Sequence, residues 1–298
     1  MAKTHTIFAK NKGSVLQCWF RWENRLFQSN LNIDEIRKRI DAFRERARTG
    51  IPDIECSNEI LSIFGDNFRF SAQSWKFEVG TQFFRARPIP NDDTNIPLKT
   101  MAQVGDAWEP PQERVKVQGR LNAVGQSILY CCAADPDLAI DEARARENNH
   151  VAVIVYRAVQ PISVSIIGSY TESNLSKDSM SEIFYSFLDE EFSTFVSHGD
   201  EGKYSVSRGI ADTFFNYPDQ DAWCYRSVQS SSKFNVAFLP KKPLSCLELS
   251  GVMICDLRKS IPGRLEVKFV VDFEKVTGLA RYHPIGSEEQ KRIFPKIE

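Results

Sequence analysis

Apolar positions along this 298-residue chain change their period several times, and each change predicts an element. Ile33, Ile36, Ile40 and Phe43 recur three and four apart, the spacing of one helical face, up to a stop near Gly50-Ile51-Pro52. Asn32 with Glu35 three residues on forms a capping pair for that helix. Trp19, Phe20, Trp22, Leu26 and Phe27 offer another helical face upstream, and Ser57 to Phe64 a short helix downstream. From Thr81 the pattern turns to alternation. Phe83, Arg85 and Arg87 share one face of a strand, Phe84 and Ala86 the other, and Pro88 and Pro90 stop it. Val115 to Arg120 reads as extended and Ser127 to Cys132 as an inner strand. Asp135 is then an N-cap with Pro136 at the first helical position, where its missing N–H costs nothing. The helix it opens runs to about Glu147 and carries Glu142 in its first turns, among Ala139, Ala143 and Ala145.

Val151 to Tyr156 is a buried strand that Ile162 to Ile167 extends. Helices over 179–195 and 204–215 follow, with His198 in the linker between them. Strands over 222–228 and 234–238 flank a serine-rich turn, and Cys246 to Phe273 closes as a hairpin around Lys259–Gly263. Residues 88–114 form one long irregular connection, either disordered or functional as a lid is, with Trp108 stacking on a ligand or pinning the loop. Strands and helices in blocks, without regular βαβ alternation, define an α+β fold: a mixed or antiparallel sheet flanked by helices. We divide it into a helical N-terminal extension, 1–70, and a main domain, 71–298. The stripe from Ile33 to Phe43 needs a cover, from the main domain or from a second copy in a homodimer.

Composition narrows this little: 42% hydrophobic and 26% charged residues are ordinary for a soluble globular chain. No run approaches the eighteen or so apolar residues of a membrane span, and Met1 to Phe20 lacks the apolar core of a secretory signal. Seven cysteines with no Cys-x-x-Cys pair favour neither a disulfide framework nor a zinc site, and fit a reducing cytoplasm. With four histidines lacking metal-ligand spacing, no metal is expected. Charge is uneven, because residues 1–50 hold eleven Lys and Arg against five Asp and Glu. Arg37, Lys38, Arg39, Arg44, Arg46 and Arg48 read as the wet face of one helix, and nucleic-acid binding is not indicated.

Three pieces then recur in order: Phe84-Arg85-Ala-Arg87-Pro88; Gly119-Arg120-Leu-Asn122 with Tyr130 and Ala139-Ile-Asp-Glu142; and Tyr225-Arg-Ser227 with Asn235-Val-Ala-Phe238. The set resembles the RES domain family, named for an arginine, a glutamate and a serine, over roughly residues 80–240. The resemblance implies an α+β fold related to ADP-ribosyltransferases, an activity that consumes NAD, and similarity to toxins of bacterial toxin–antitoxin pairs, with a neutralising antitoxin as a partner. It carries the arginine onto Arg85, with Arg87 as the alternative two residues on, the glutamate onto Glu142 and the serine onto Ser227. Gly119, Arg120, Asn122 and Tyr130 match the motif between, and Leu121 stands where many members carry tryptophan or methionine.

These residue types suit that chemistry. Breaking the nicotinamide–ribose bond builds positive charge on the sugar, which a carboxylate stabilises, as in glycoside hydrolysis. Arginine's planar fork suits a pyrophosphate, and Arg87 and Arg120 are candidates to hold it. Tyr130 or Tyr225 would stack on the nicotinamide ring. The expectation is an NAD phosphorylase or glycohydrolase. A protein ADP-ribosyltransferase would turn the same residues on a macromolecular acceptor. A non-catalytic module would bind NAD or a partner without turnover.

Overall fold

The computed structural model describes residues 32–48, 53–65, 72–168, 179–196, 199–230, 232–239 and 245–297. The expectations for Trp19 to Phe27 and for His198 lie outside these residues. Among the described residues ten strands form one sheet: β1 (Gln73–Phe77), β2 (Gln82–Ile89), β3 (Tyr130–Ala133), β4 (His150–Ala158), β5 (Ile162–Ile167), β6 (Ala222–Arg226), β7 (Phe234–Phe238), β8 (Leu247–Asp256), β9 (Val267–Phe273) and β10 (Ala280–Pro284). Their order is β1-β5-β6-β7-β3-β2-β4-β8-β9-β10, and every neighbouring pair is antiparallel except β5 and β6. Helices α1 (Ile33–Arg48), α2 (Asp53–Phe64), α3 (Pro136–Glu142), α4 (Ser179–Ser193), α5 (Tyr204–Phe214) and α6 (Glu288–Ile293) accompany it. The protein is α+β with one large mixed sheet.

The sheet is bent by its own connectivity. Residues 78–81 join β1 to β2, yet the two strands lie five places apart in the order. Five inter-strand steps would separate them by about 24 Å in a flat sheet, more than the roughly 17 Å that so short a link spans. The rings of Phe77 and Phe83 are instead 5.2 Å apart, edge to face, and Phe83 meets Phe238 of β7 at 5.7 Å. One face therefore curls over a common interior with Ile154, Tyr156, Cys131 and Val236. The 88–114 connection belongs to that interior. Short 3-10 turns at Lys99–Met101 and Val104–Ala107 bury Leu98, Met101 and Ala107, so the segment is a packed plug and not a lid. Trp108 pins it, its ring 5.2 Å from that of Tyr156.

The outer face carries the helices. Helices α1, α2, α4 and α5 share one cluster with Trp223 and Tyr225 of β6, while α3 covers β2, β3 and β4 through Leu138 and Ile140. The stripe Ile36, Ile40 and Phe43 is covered within the chain: Phe43 packs on Phe187 at 6.1 Å and Phe64 on Phe184 at 5.0 Å. It gives no argument for a second copy, and the boundary expected at residue 70 lies outside the described residues. The basic face is largely ion-paired, Arg39 to Glu35, Arg46 to Glu59, and Arg44 across to Glu190 and Glu191 of α4 at 2.7 Å each. Asn32 caps α1 by accepting the Asp34 N–H at 2.6 Å.

Several boundaries differ from expectation. Helix α2 starts at Asp53 because buried Cys56 belongs to its stripe with Ile60 and Phe64. Strand β2 continues through Pro88 to Ile89. Beyond Phe84 it has no β3 neighbour, and a proline's missing N–H costs no ladder bond on an open side. Residues 115–120 form loop, and β3 begins at Tyr130, although Leu129 still accepts a bond from the Phe238 N–H. Strand β5 does not extend β4; the chain turns at Gln160-Pro161, and β5 enters on the far side between β1 and β6.

Because α1 and the sheet share one core, Phe43→Ala should cost about 3–5 kcal/mol. We expect denaturant unfolding followed by tryptophan fluorescence and by far-ultraviolet dichroism to stay a single, earlier transition. An independently folded extension would give two, with the later one unmoved.

Candidate functional site

Strand β3 leaves the sheet at Ala133, and Ala134, with φ at 57°, turns the chain into α3. Asp135 caps the helix as its sequence predicts: its side chain accepts the Leu138 N–H at 2.8 Å, with Pro136 in the first turn. The helix does not reach Glu147. It ends at Glu142; Arg144 adopts a left-handed conformation at φ 52°, and a 3-10 turn over Ala145–Glu147 leads to β4. Arg146 folds back onto Asp137 and Asp141, at 2.9 and 2.7 Å, and closes the turn. Glu142 thus sits in the last turn of a seven-residue helix and not its first. A carboxylate there faces the negative end of the peptide dipoles, so it requires a donor.

Ser227 supplies it. Lying just past β6 and 3% exposed, its hydroxyl donates to Glu142 Oε1 and accepts the Gln229 N–H at 2.9 Å. Its own N–H donates to the Lys233 carbonyl at 2.8 Å, which fixes the turn between β6 and β7. Ser230 and Ser232 bond each other on the surface, and Ser231 lies outside the described residues. The pair Glu142 and Ser227, 85 residues apart in sequence, is brought together.

Beside this pair lies a cleft of about 190 Å³ on the outer face, bounded by Glu142, Tyr130, Tyr225, Asn235, Arg120 and Arg144. Tyr225 and Asn235 are register partners, and Cys132, one strand over, donates its thiol to Asn235 Oδ1 at 3.2 Å. Tyr130 is committed through its hydroxyl, which accepts the Leu121 N–H at 3.1 Å and donates to Asn122 Oδ1 at 2.9 Å. Burial pushes the phenols of Tyr130 and Tyr225 up, so both remain neutral hydroxyls. Gly119 makes the turn possible: its N–H donates to the Asn122 carbonyl, and a Cβ would lie 2.3 Å from Asn122 Oδ1. Arg120 spans from this turn to the end of α4, donating to the carbonyls of Glu191 and Thr194 at 3.0 and 2.9 Å, with its guanidinium over the Tyr204 ring. It lines the cleft, but two of its donors are already spent on backbone.

Arg85 and Arg87 are not at this cleft. Phe84 pairs in register with Cys132 and faces α3, so its neighbours Arg85 and Arg87 must face the curled interior. There Arg85 donates to the Trp108 carbonyl, and Arg87 reaches the Asp106 carbonyl at 3.0 Å and its carboxylate at 3.3 Å. The sheet stands between both arginines and Glu142. Arg144, Asn235, Tyr204, Phe195 and Gln229 also line the cleft, beyond the site residues the sequence points to. Asn235 was legible as part of the quoted Asn235-Val-Ala-Phe238; nothing in the sequence marks Phe195 or Tyr204.

Among the described residues no group of three or more His, Cys, Asp or Glu could hold a metal, and no helix is long and apolar enough to cross a membrane. The six described cysteines are buried, and burial pushes Cys224 and Cys255 up to about 12, too high for ready thiolate formation.

A carboxylate steadied by a buried hydroxyl thus sits in a cleft walled by neutral tyrosines and arginines, on the helix-covered face of an α+β protein. The family model for the RES domain matches residues 100–251, just over half the chain, and the protein belongs to that family. The family is associated with NAD-utilising, toxin-like activity in general. The matched residues hold Arg120, Glu142 and Ser227 and stop short of Arg85 and Arg87. No curated protein matches the chain.

Tyr130→Phe would leave the Leu121 N–H and Asn122 Oδ1 without their partner, and should cost about 1–3 kcal/mol. Gly119→Ala should disturb the same turn by displacing Asn122. Thermal unfolding checks both, and an unchanged midpoint in either would show that the turn does not depend on this network.

Proposed function

We propose that the protein degrades NAD by breaking the bond between nicotinamide and ribose, passing ADP-ribose to phosphate or otherwise to water. The observation that carries this reading is the hydrogen bond from Ser227 to Glu142 at the wall of a tyrosine-lined cleft. As the bond lengthens, its electron pair moves onto the pyridine nitrogen and nicotinamide departs neutral, so no acid is needed. The sugar carbon left behind gains oxocarbenium character, which the Glu142 carboxylate stabilises. Ser227 keeps that carboxylate pointed into the cleft. A phosphate oxygen then attacks the sugar carbon directly, whereas water must also lose a proton.

The cleft's size fits one end of the dinucleotide. About 190 Å³ is below the roughly 300–1,000 Å³ of pockets that swallow a drug-sized ligand, so the nicotinamide–ribose end would enter and the pyrophosphate lie towards the rim. Tyr130 and Tyr225 form apolar walls for the ring. Arg85 and Arg87 have no part in this reading beyond holding the plug against the sheet. A toxin-like role in the cytoplasm, checked by a neutralising protein that occludes the cleft, extends the proposal.

Incubation of the purified chain with NAD, with and without phosphate, tests it. Nicotinamide with a phosphorylated ADP-ribose marks phosphorolysis; free ADP-ribose marks hydrolysis. Glu142→Gln should lower turnover by about 10²–10³-fold. Arg85→Lys, in folded protein, should stay within about threefold of wild type, since a group behind the sheet touches no substrate. Unchanged turnover in Glu142→Gln, or no nicotinamide from the wild type, would sink the reading.

A further inference from the structure

Arg144 lies at the rim of the cleft, and the backbone goes out of its way to put it there. Two further residues of α-helix would carry position 144 about 200° round the axis from Glu142 and point it away. The left-handed turn at φ 52°, ψ 35° places both residues on the same cleft. The guanidinium is braced from the opposite wall. Its Nη2 donates to the Val196 carbonyl at 3.3 Å, and its Cζ lies over the ring of Phe195, 4.9 Å from the centroid. Phe195 is itself 58% exposed, so this stack is open to solvent and to a ligand.

The other cations nearby are engaged. Arg120 donates to two carbonyls at the end of α4, Arg226 pairs with Asp189, Lys233 with Asp135, and Arg146 with Asp137 and Asp141. Among the described residues no carboxylate forms an ion pair with Arg144. One long 3.3 Å bond to a carbonyl leaves most of its five donors unused, and an aromatic platform holds the fork in place. An oriented, charge-unsatisfied guanidinium at a cleft mouth is a receptor for an oxyanion.

We propose that Arg144 recognises a phosphate group at the rim of the cleft and sets the protein's preference for phosphorylated ligands. The ligand's identity rests on the NAD-degrading reading above, which allows two sources: the pyrophosphate of the dinucleotide, or the inorganic phosphate that accepts ADP-ribose. Arg144 is in either case a specificity residue, distinct from the carboxylate that stabilises the reacting sugar.

Calorimetric titration of the full chain with ADP-ribose, with inorganic phosphate and with nicotinamide riboside separates the sources. Arg144→Gly keeps the left-handed turn without strain and removes the guanidinium, and Arg144→Lys keeps the charge without the fork. Arg157→Ala, on an exposed residue paired with Glu248 outside the cleft, serves as the control. We expect Arg144→Gly to weaken ADP-ribose or phosphate by about 10- to 100-fold, as loss of a charge-assisted bond does. Arg144→Lys should be intermediate, and nicotinamide riboside unaffected. Weaker ADP-ribose binding identifies the pyrophosphate; weaker phosphate binding alone identifies the acceptor. Equal binding of both by wild type and Arg144→Gly, or equal weakening of nicotinamide riboside, would overturn the proposal while leaving NAD turnover intact. Phosphate-dependent binding that needs Arg144 in a protein that never releases nicotinamide would support it and sink the catalytic reading instead.

Discussion

The constraint that orders this molecule is a short link between two strands that are not neighbours. β1 and β2 follow each other in the chain but lie five places apart in the sheet, so the sheet must curl until one face meets itself. Every strand residue is thereby sorted into an interior or an exterior. The interior is closed by Phe77, Phe83 and Phe238 and plugged by the 98–108 segment. The exterior is where helices pack, and a cleft persists where α3 and the end of α4 fail to meet over Tyr130 and Tyr225.

What keeps that cleft open is a relay of helix ends. Arg44 of α1 grips Glu190 and Glu191, and Arg120 takes the Glu191 and Thr194 carbonyls where α4 runs out. Burial pushes the Glu191 carboxyl upward, and the Arg44 guanidinium opposes that shift, so the pair is held by mutual need as much as by attraction. The basic stripe of α1 reads as a solvated face, yet one of its arginines holds the far wall of the cleft from behind. Helices that stand outside the matched residues 100–251 are therefore part of what supports the site.

Local rules were legible where the chemistry is local. Asp135-Pro136 starts its helix through a cap bond only three residues long, and the alternation from Phe83 to Arg87 assigns both faces of β2 correctly. Alternation does not say which face meets the cleft: the ordered motif names Arg85 and Glu142 together, and the register puts the sheet between them. The end of α3 was hidden for a related reason. Ala143 and Ala145 are good helix formers, and the stop comes from the need to deliver the chain to β4 and from Arg146 folding back. β1 and β10 are edge strands at the two ends of the sheet, and Gln-Ser-Trp-Lys-Phe and Ala-Arg-Tyr-His-Pro lack the apolar runs that mark the equally short β6 and β7.

Glu142 and Ser227 meet because of strand order, not sequence distance. β7 lies between β6 and β3 and runs antiparallel to both, so the turn leaving β6 and the helix leaving β3 emerge at the same end of the sheet, two strand spacings or about 10 Å apart. The long Glu142 side chain, at the end of α3, bridges the remaining gap to the Ser227 hydroxyl. The same reasoning separates the arginines. A strand interior can fix a guanidinium only against what already fills it, which for Arg85 is the plug's backbone. A turn at the outer rim can hold one with donors to spare. Cationic recognition at this fold's cleft therefore falls to residues on loops and helix ends, Arg120 as a brace and Arg144 as the group still able to take a ligand.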